Sequence, residues 1–169
     1  LACATGRVLA KSVTARSAAP RMAVAAMDGY AVWDASTSPD EPIRVVGESR
    51  AGLSFSGEVG PGEAARIFTG APMPKGTDRC IMQEYAEREG GMVRFTEGYG
   101  PGWHVRKAGS DFAAGDVLLQ AGTRLSPRAM IAAAAADQAF VQVHAQPNVA
   151  IIGTGDELAS PGQAHLRAG

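Results

Sequence analysis

Apolar and polar positions alternate in short runs along most of this chain, and only one stretch carries a helical signal. Arg7 to Val13 sets Val8, Ala10 and Val13 among polar residues without a 3.6-residue period, which predicts a strand ended by Ala18-Ala19-Pro20. Asp28-Gly29 predicts a turn leading into the β-rich run Tyr30 to Trp33, and the polar, two-proline stretch Asp34 to Pro42 a surface loop. Further strands are expected at Ile43 to Val46, Ala65 to Phe68, Arg79 to Glu84, Trp103 to Arg106, Val117 to Leu119 and Phe140 to Val143. Gly90-Gly91 reads as a hairpin tip whose second arm is Met92 to Thr96, and the Gly57–Gly62 and Ala121-Gly122 stretches as turns.

The helical exception begins at Ser126-Pro127, an N-cap followed by a first-turn proline, and runs to about Asp137 through five consecutive alanines. Alanine is the best helix former and leaves a small face for close packing. Beyond Pro147 the four apolar residues Val149-Ala150-Ile151-Ile152 predict a strand buried on both faces, as at the opening of a parallel α/β sheet. The chain is therefore expected to stop just inside a further domain.

Composition narrows the function classes. The 169 residues hold 21 glycines and 10 prolines, too many turn formers for a helical bundle. Sixteen basic and seventeen acidic residues leave a formal charge of -1, which argues against a nucleic-acid binder or a basic membrane-surface protein. No apolar run approaches the length of a membrane helix, and Leu1-Ala2-Cys3-Ala4 does not read as a signal peptide. Cys3 and Cys80 make no disulfide framework and, with His104, His144 and His165, no zinc spacing, so buried free thiols in a reducing cytoplasm are expected.

Four clusters hold candidate chemistry. Asp28-Gly29 is first a tight-turn dipeptide. Thr69-Gly70-Ala71-Pro72 either only turns the chain or presents N–H groups and a hydroxyl to an oxyanion. Arg106-Lys107 with Ser110-Asp111 sets two cations near a carboxylate, which on a surface strand is a weak ion pair. Thr154-Gly155-Asp156-Glu157 follows the apolar run where α/β proteins place ligands, but lacks the glycine pattern of a Rossmann turn or a P-loop; its adjacent carboxylates could instead hold Mg²⁺. No Ser/His/Asp or Cys/His set can be assembled, and spacing alone leaves function open.

The motifs Ala26-Met27-Asp28-Gly29-Tyr30-Ala31-Val32, Arg66-Ile67-Phe68-Thr69-Gly70-Ala71-Pro72-Met73-Pro74-Lys75-Gly76, Met82-Gln83-Glu84, Gly109-Ser110-Asp111 and Thr154-Gly155-Asp156-Glu157-Leu158 occur in this order. Together they resemble the N-terminal half of the molybdopterin molybdenumtransferase family, which includes the gephyrin-like proteins. The resemblance implies a mainly β fold: an irregular bifurcated β-sheet domain, residues 15–115, inserted in a small α+β domain made of residues 1–14 and 116–146, with residues 147–169 opening a truncated α/β pterin-binding domain. It implies a cytoplasmic homodimer that moves molybdenum from molybdate onto adenylylated molybdopterin with Mg²⁺, releasing AMP.

Matched position by position, the resemblance implies catalytic roles for Asp28, Thr69, Arg106 and Asp111. Asp28 and Asp111 would orient substrate or support Mg²⁺, Thr69 and Arg106 would contact an anion, and Thr154 and Glu157 would lie beside the pterin. Three departures stand out. Ala23-Val24-Ala25 occupies the usual Asp-Asn-Ser, Ser110 replaces a Glu, and Gln138 stands at a helix end where the family has Gly. The polar groups lost beside Asp28 favour the alternative, a non-catalytic scaffold or dimerisation module of a divergent member.

Overall fold

The computed structural model describes residues 1–100 and 102–166. Its strands are Val13–Thr14 (β1), Val24–Ala25 (β2), Gly29–Val32 (β3), Ile43–Ser49 (β4), Glu63–Ile67 (β5), Arg79–Met82 (β6), Ala86–Glu89 (β7), Met92–Phe95 (β8), Val105–Arg106 (β9) and Val117–Leu119 (β10); Pro127–Ala135 forms α1. The fold is mainly β, as the short alternating runs predict.

Six strands form one mixed sheet in the order β6-β3-β5-β4-β8-β7, antiparallel at every step except the parallel β4–β5 pair, whose register slips between Val45 and Gly47. All four residues of β3 are buried, and period-two alternation divides them between two cores. On one side Tyr30 and Val32 pack with Ile43, Ala64, Ile81, Val93 and Phe95, and the Tyr30 and Phe95 rings meet edge-on with centroids 5.9 Å apart. A fully buried Phe95 side chain stabilises by about 1.5–3 kcal/mol relative to exposure. On the other side Ala31 joins Ala25, Ile67, Ala71 and Cys80, small side chains that let neighbouring backbone come close. That second side positions the candidate site.

A separate core joins residues 4–15 to residues 125–136. Ala129, Ala133 and Ala136, on one face of α1 and its C-cap, pack against Leu9, Val13, Ala15 and Leu125, and β1 pairs with β10. Ser126 caps the helix, its hydroxyl accepting from the Ala129 N–H at 3.2 Å. At the other end the left-handed residue is Asp137 (φ 59), not Gln138. The Asp137 N–H donates to Ala134 O at 3.0 Å and the Gln138 N–H to Ala133 O at 3.3 Å, a complete Schellman closure. Gln138 therefore carries no left-handed strain.

Several expected strands are shorter or absent. Of Arg7–Val13, Val8 and Leu9 make only isolated bridges, to Arg124 and Val143. Phe140–Val143 is not a ladder strand, and Phe140 is 85% exposed. The run Arg79–Glu84 leaves β6 at Met82 and tightens into a 3₁₀ turn at Gln83–Tyr85, although the Gln83 N–H still reaches Asp28 O at 3.0 Å, in register with the β3–β6 ladder. Val149, Ile151 and Ile152 are exposed and in no ladder, since no described strand edge lies against them to pair their backbone. Residues 167–169 of the segment expected to open an α/β domain lie outside the described residues. Of the two cysteines, both free, Cys80 is buried but Cys3 is exposed, against the expectation of two buried thiols.

Candidate functional site

The site is organised around β2, which has backbone on both edges. On one edge it pairs with β9, Val24 opposite Arg106 and Ala25 opposite Val105. On the other runs the Thr69–Met73 loop: Gly70 N–H donates to Ala25 O and Ala25 N–H to Ala71 O, each at 2.9 Å, and Met73 N–H reaches Ala23 O at 3.0 Å. The left-handed φ of 80° at Gly70 turns the loop at this point. Ser49, fully buried, holds the loop from beneath by donating its hydroxyl to Pro72 O at 2.8 Å. The 69–73 loop and β9 are thus two strand spacings apart, roughly 10 Å.

Asp28 stands where the chain leaves β2 and enters β3. Its neighbour Gly29 has no left-handed φ, so the dipeptide is not selected by a turn. A Cβ at position 29 would lie 1.9 Å from the Ile81 carbonyl oxygen, and close approach of β3 to β6 is what requires glycine. The Asp28 carboxylate crosses to the loop, where Oδ1 accepts from both the N–H and the hydroxyl of Thr69, each at 2.7 Å. The Thr69 N–H, then its hydroxyl, and more weakly the Arg66 charge, hold the Asp28 carboxyl below its ordinary value against a small opposing effect of burial.

Two residues that the sequence did not single out complete this neighbourhood. Arg66, opposite Tyr30 in the β3–β5 ladder, donates from Nη1 to Gly29 O at 2.7 Å and from Nη2 to Gln83 Oε1 at 2.5 Å. Its guanidinium also lies over the Tyr30 and Phe68 rings, 5.3 and 4.6 Å from their centroids. Both Arg66 and Gln83 lie inside the motifs quoted above, which was their only signal. Cys80 lies beneath, its Sγ 3.4 Å from Met27 O, and burial pushes its thiol up to about 11.

Arg106 and Asp111 form the second pair: Nη2 contacts Oδ1 and Oδ2 at 2.6 and 2.7 Å, with both side chains about half exposed. The Asp111 N–H is fixed to Ala19 O at 2.9 Å, which ties this turn to the segment preceding β2. The four candidate residues are therefore two bonded pairs flanking β2, each joining an expected anion contact to an expected carboxylate. Thr154 and Glu157 are not part of this ladder; they lie in an exposed turn closed by Leu158 N–H to Gly155 O at 3.2 Å. Among the described residues no three His, Cys, Asp or Glu side chains converge as a metal cage. No described helix is long and apolar enough to cross a membrane.

The protein is a mainly β one in which the Asp28 carboxylate, at the entry to the mixed sheet, is bound by the Thr69–Met73 loop. Residues 1–136 match the family model described as MoeA N-terminal region (domain I and II), and the chain belongs to that family. It is 36% identical over 161 residues to the molybdopterin molybdenumtransferase of Haemophilus influenzae, covering 95% of this chain and 40% of that one. It is 39% identical over 160 residues to the molybdopterin molybdenumtransferase of Nostoc sp., covering 92% of this chain and 37% of the relative. A molybdopterin biosynthesis MoeA protein from Pyrococcus horikosii has a similar structure, with a TM-score of 0.83 at 32% identity, over 95% of this chain and 42% of that one. The chain thus spans about two fifths of the length of the relatives it matches.

Proposed function

We propose that this chain is the N-terminal part of an enzyme that transfers molybdenum from molybdate to adenylylated molybdopterin with release of AMP, acting as a homodimer in the cytoplasm. The observation that carries the reading is the Asp28–Thr69 pair, found inside the two longest motifs shared with the family. An ionised carboxylate fixed through Oδ1 directs its second oxygen, Oδ2, to a substrate donor or to a hard cation. Magnesium takes one or two carboxylates together with substrate phosphates and keeps several waters, so a single protein ligand suffices. Asp28 meets that requirement, and the chain alone supplies no fuller cage among its described residues. Magnesium would offset phosphate charge there; molybdenum is cargo, taken by the soft sulfurs of the pterin dithiolene. Arg106, held by Asp111, supplies a planar cation on the other edge of β2 for an anionic group.

The test is a chimera in which this chain replaces the matching 161 residues of the Haemophilus influenzae relative, in an assembly assay with adenylylated molybdopterin, molybdate and Mg²⁺. The chimera should turn over and the isolated chain should not. Asp28→Asn should lower turnover at least tenfold with the fold intact, and Arg106→Ala should weaken use of the anionic substrate by about 1.5–3 kcal/mol. A folded, inactive chimera would favour the scaffold alternative.

A further inference from the structure

The Asp28 carboxylate is held by Thr69, but the backbone that carries it is held by other residues. Asp28 O accepts from Gln83 N–H at 3.0 Å, and the next carbonyl, Gly29 O, accepts from Arg66 Nη1 at 2.7 Å. Arg66 Nη2 then returns to the Gln83 side chain at 2.5 Å. The path Asp28–Gly29–Arg66–Gln83–Asp28 is a closed ring of bonds around the peptide from which the carboxylate projects. Arg66 sits on β5, three residues before Thr69, so the strand fixes the ring and the loop that follows it delivers the hydroxyl that donates to the carboxylate. The Tyr30 and Phe68 rings restrict the guanidinium, and Arg50 lies over Phe68 at 5.4 Å.

We infer that Arg66 is a positioning residue of the site: by bonding Gly29 O and Gln83 Oε1 at once, it sets the Asp28 peptide so that the carboxylate meets the N–H and hydroxyl of Thr69 together. This rests on the reading of Asp28 as a functional residue. A planar fork is needed for the task, because a lysine ammonium on one flexible stem cannot address two acceptors in fixed, divergent directions as a guanidinium does. The inference is also consistent with the charge field around Asp28. Arg66 is the cation that acts on its carboxyl, and the Cys80 thiol in turn feels Asp28 and Arg66 with opposite signs.

The experiment uses this chain itself and needs no turnover. Hydrogen exchange of the Thr69 amide, which donates to Asp28 Oδ1, is measured in wild type, Arg66→Gln and Gln83→Leu, with the neighbouring Gly70 amide, held by Ala25 O, as the reference. Gln83 is exposed, so its variant keeps the fold if Arg66→Gln does not. Arg66→Gln should speed Thr69 amide exchange roughly tenfold relative to Gly70, as expected when a local bond opens. Gln83→Leu should speed that exchange in the same direction by a smaller factor. A residue that only adds stability would lower the unfolding midpoint and leave the ratio of Thr69 to Gly70 exchange unchanged. A wild-type ratio in the folded variants would overturn the inference, whatever the chimera does in the assembly assay.

Discussion

The Gln138 side chain donates its amide to the carbonyl of Thr14 at 2.8 Å, closing a loop of 124 positions between the end of α1 and β1. The bond works because Gln138 lies one residue past the left-handed position. Asp137 takes the unusual φ, and the glutamine is left in a conformation from which its side chain reaches β1.

Asp137 is the strained residue, so Asp137→Gly should stabilise the protein. Glycine adopts the left-handed φ without a Cβ contact, and the change removes a negative charge from the negative end of the helix dipole. The opposing loss is the Arg21–Asp137 contact at 3.6 Å, whose side chains are both well exposed and whose contribution is small. A gain of about 0.5–1 kcal/mol is expected in urea unfolding. A loss of stability would show that the ion pair outweighs the backbone.

Gly29→Ala should be strongly destabilising although it adds one methyl group. The obstacle is the Ile81 carbonyl, main chain in the middle of the β3–β6 ladder, which cannot rotate aside. A loss of about 1–3 kcal/mol follows from overpacking of this kind. Thermal unfolding of the variant checks it, and an unchanged midpoint would mean that the two strands separate easily.

The acid side of the stability profile should carry the Asp28–Thr69 pair. The folded state holds this carboxyl below its ordinary 3.8, so the pair contributes fully above about that pH and is lost as the pH falls through the folded value. Thr69→Val removes the hydroxyl but keeps the N–H. The stability gap between wild type and variant should be constant from neutrality to about pH 5 and narrow below about 3.8. A gap that stays unchanged all the way down to acid unfolding of the wild type would contradict the assigned bond.

The two thiols should behave as different chemical groups. Exposed Cys3 should react with a disulfide reagent at pH 8 within minutes, whereas Cys80, buried and pushed up from 9.0 to about 11, should react only after unfolding. Because the unfolded thiol ionises first, Cys80 should also erode stability as pH rises from 9 towards 11, and Cys80→Ala should remove that slope. Rapid modification of both thiols in native protein would disprove the packing around Cys80.

What was legible in the sequence was local. The Gly90-Gly91 tip set the β7–β8 hairpin, and Ser126-Pro127 set the start of α1, because a turn or a cap is written in two or three adjacent residues. The parallel β4–β5 pairing was not legible, since strand neighbours are chosen by the whole sheet. The motifs located Asp28, Thr69 and Asp111, and the Arg106-Lys107 pair of cations located Arg106, but their mutual pairing is a tertiary fact. So is the role of Arg66, whose partners Gly29 and Gln83 lie 37 and 17 positions away. The apolar run at Val149–Ile152 reads as a strand from its residues alone, yet a ladder needs a partner edge as well as a suitable sequence.

The core that joins Leu9 and Val13 to Leu125, Ala129 and Ala133 has a consequence for synthesis on the ribosome. Leu9 and Val13 lack these apolar partners until a chain segment roughly a hundred residues later has left the exit tunnel. At translation rates of about 5–20 residues per second that delay is on the order of 5–20 seconds. The six-stranded sheet, complete by Phe95, is able to form within that interval, so it should fold before this core and leave the segment around Leu9 and Val13 open to chaperones and proteases until Ala133 has emerged.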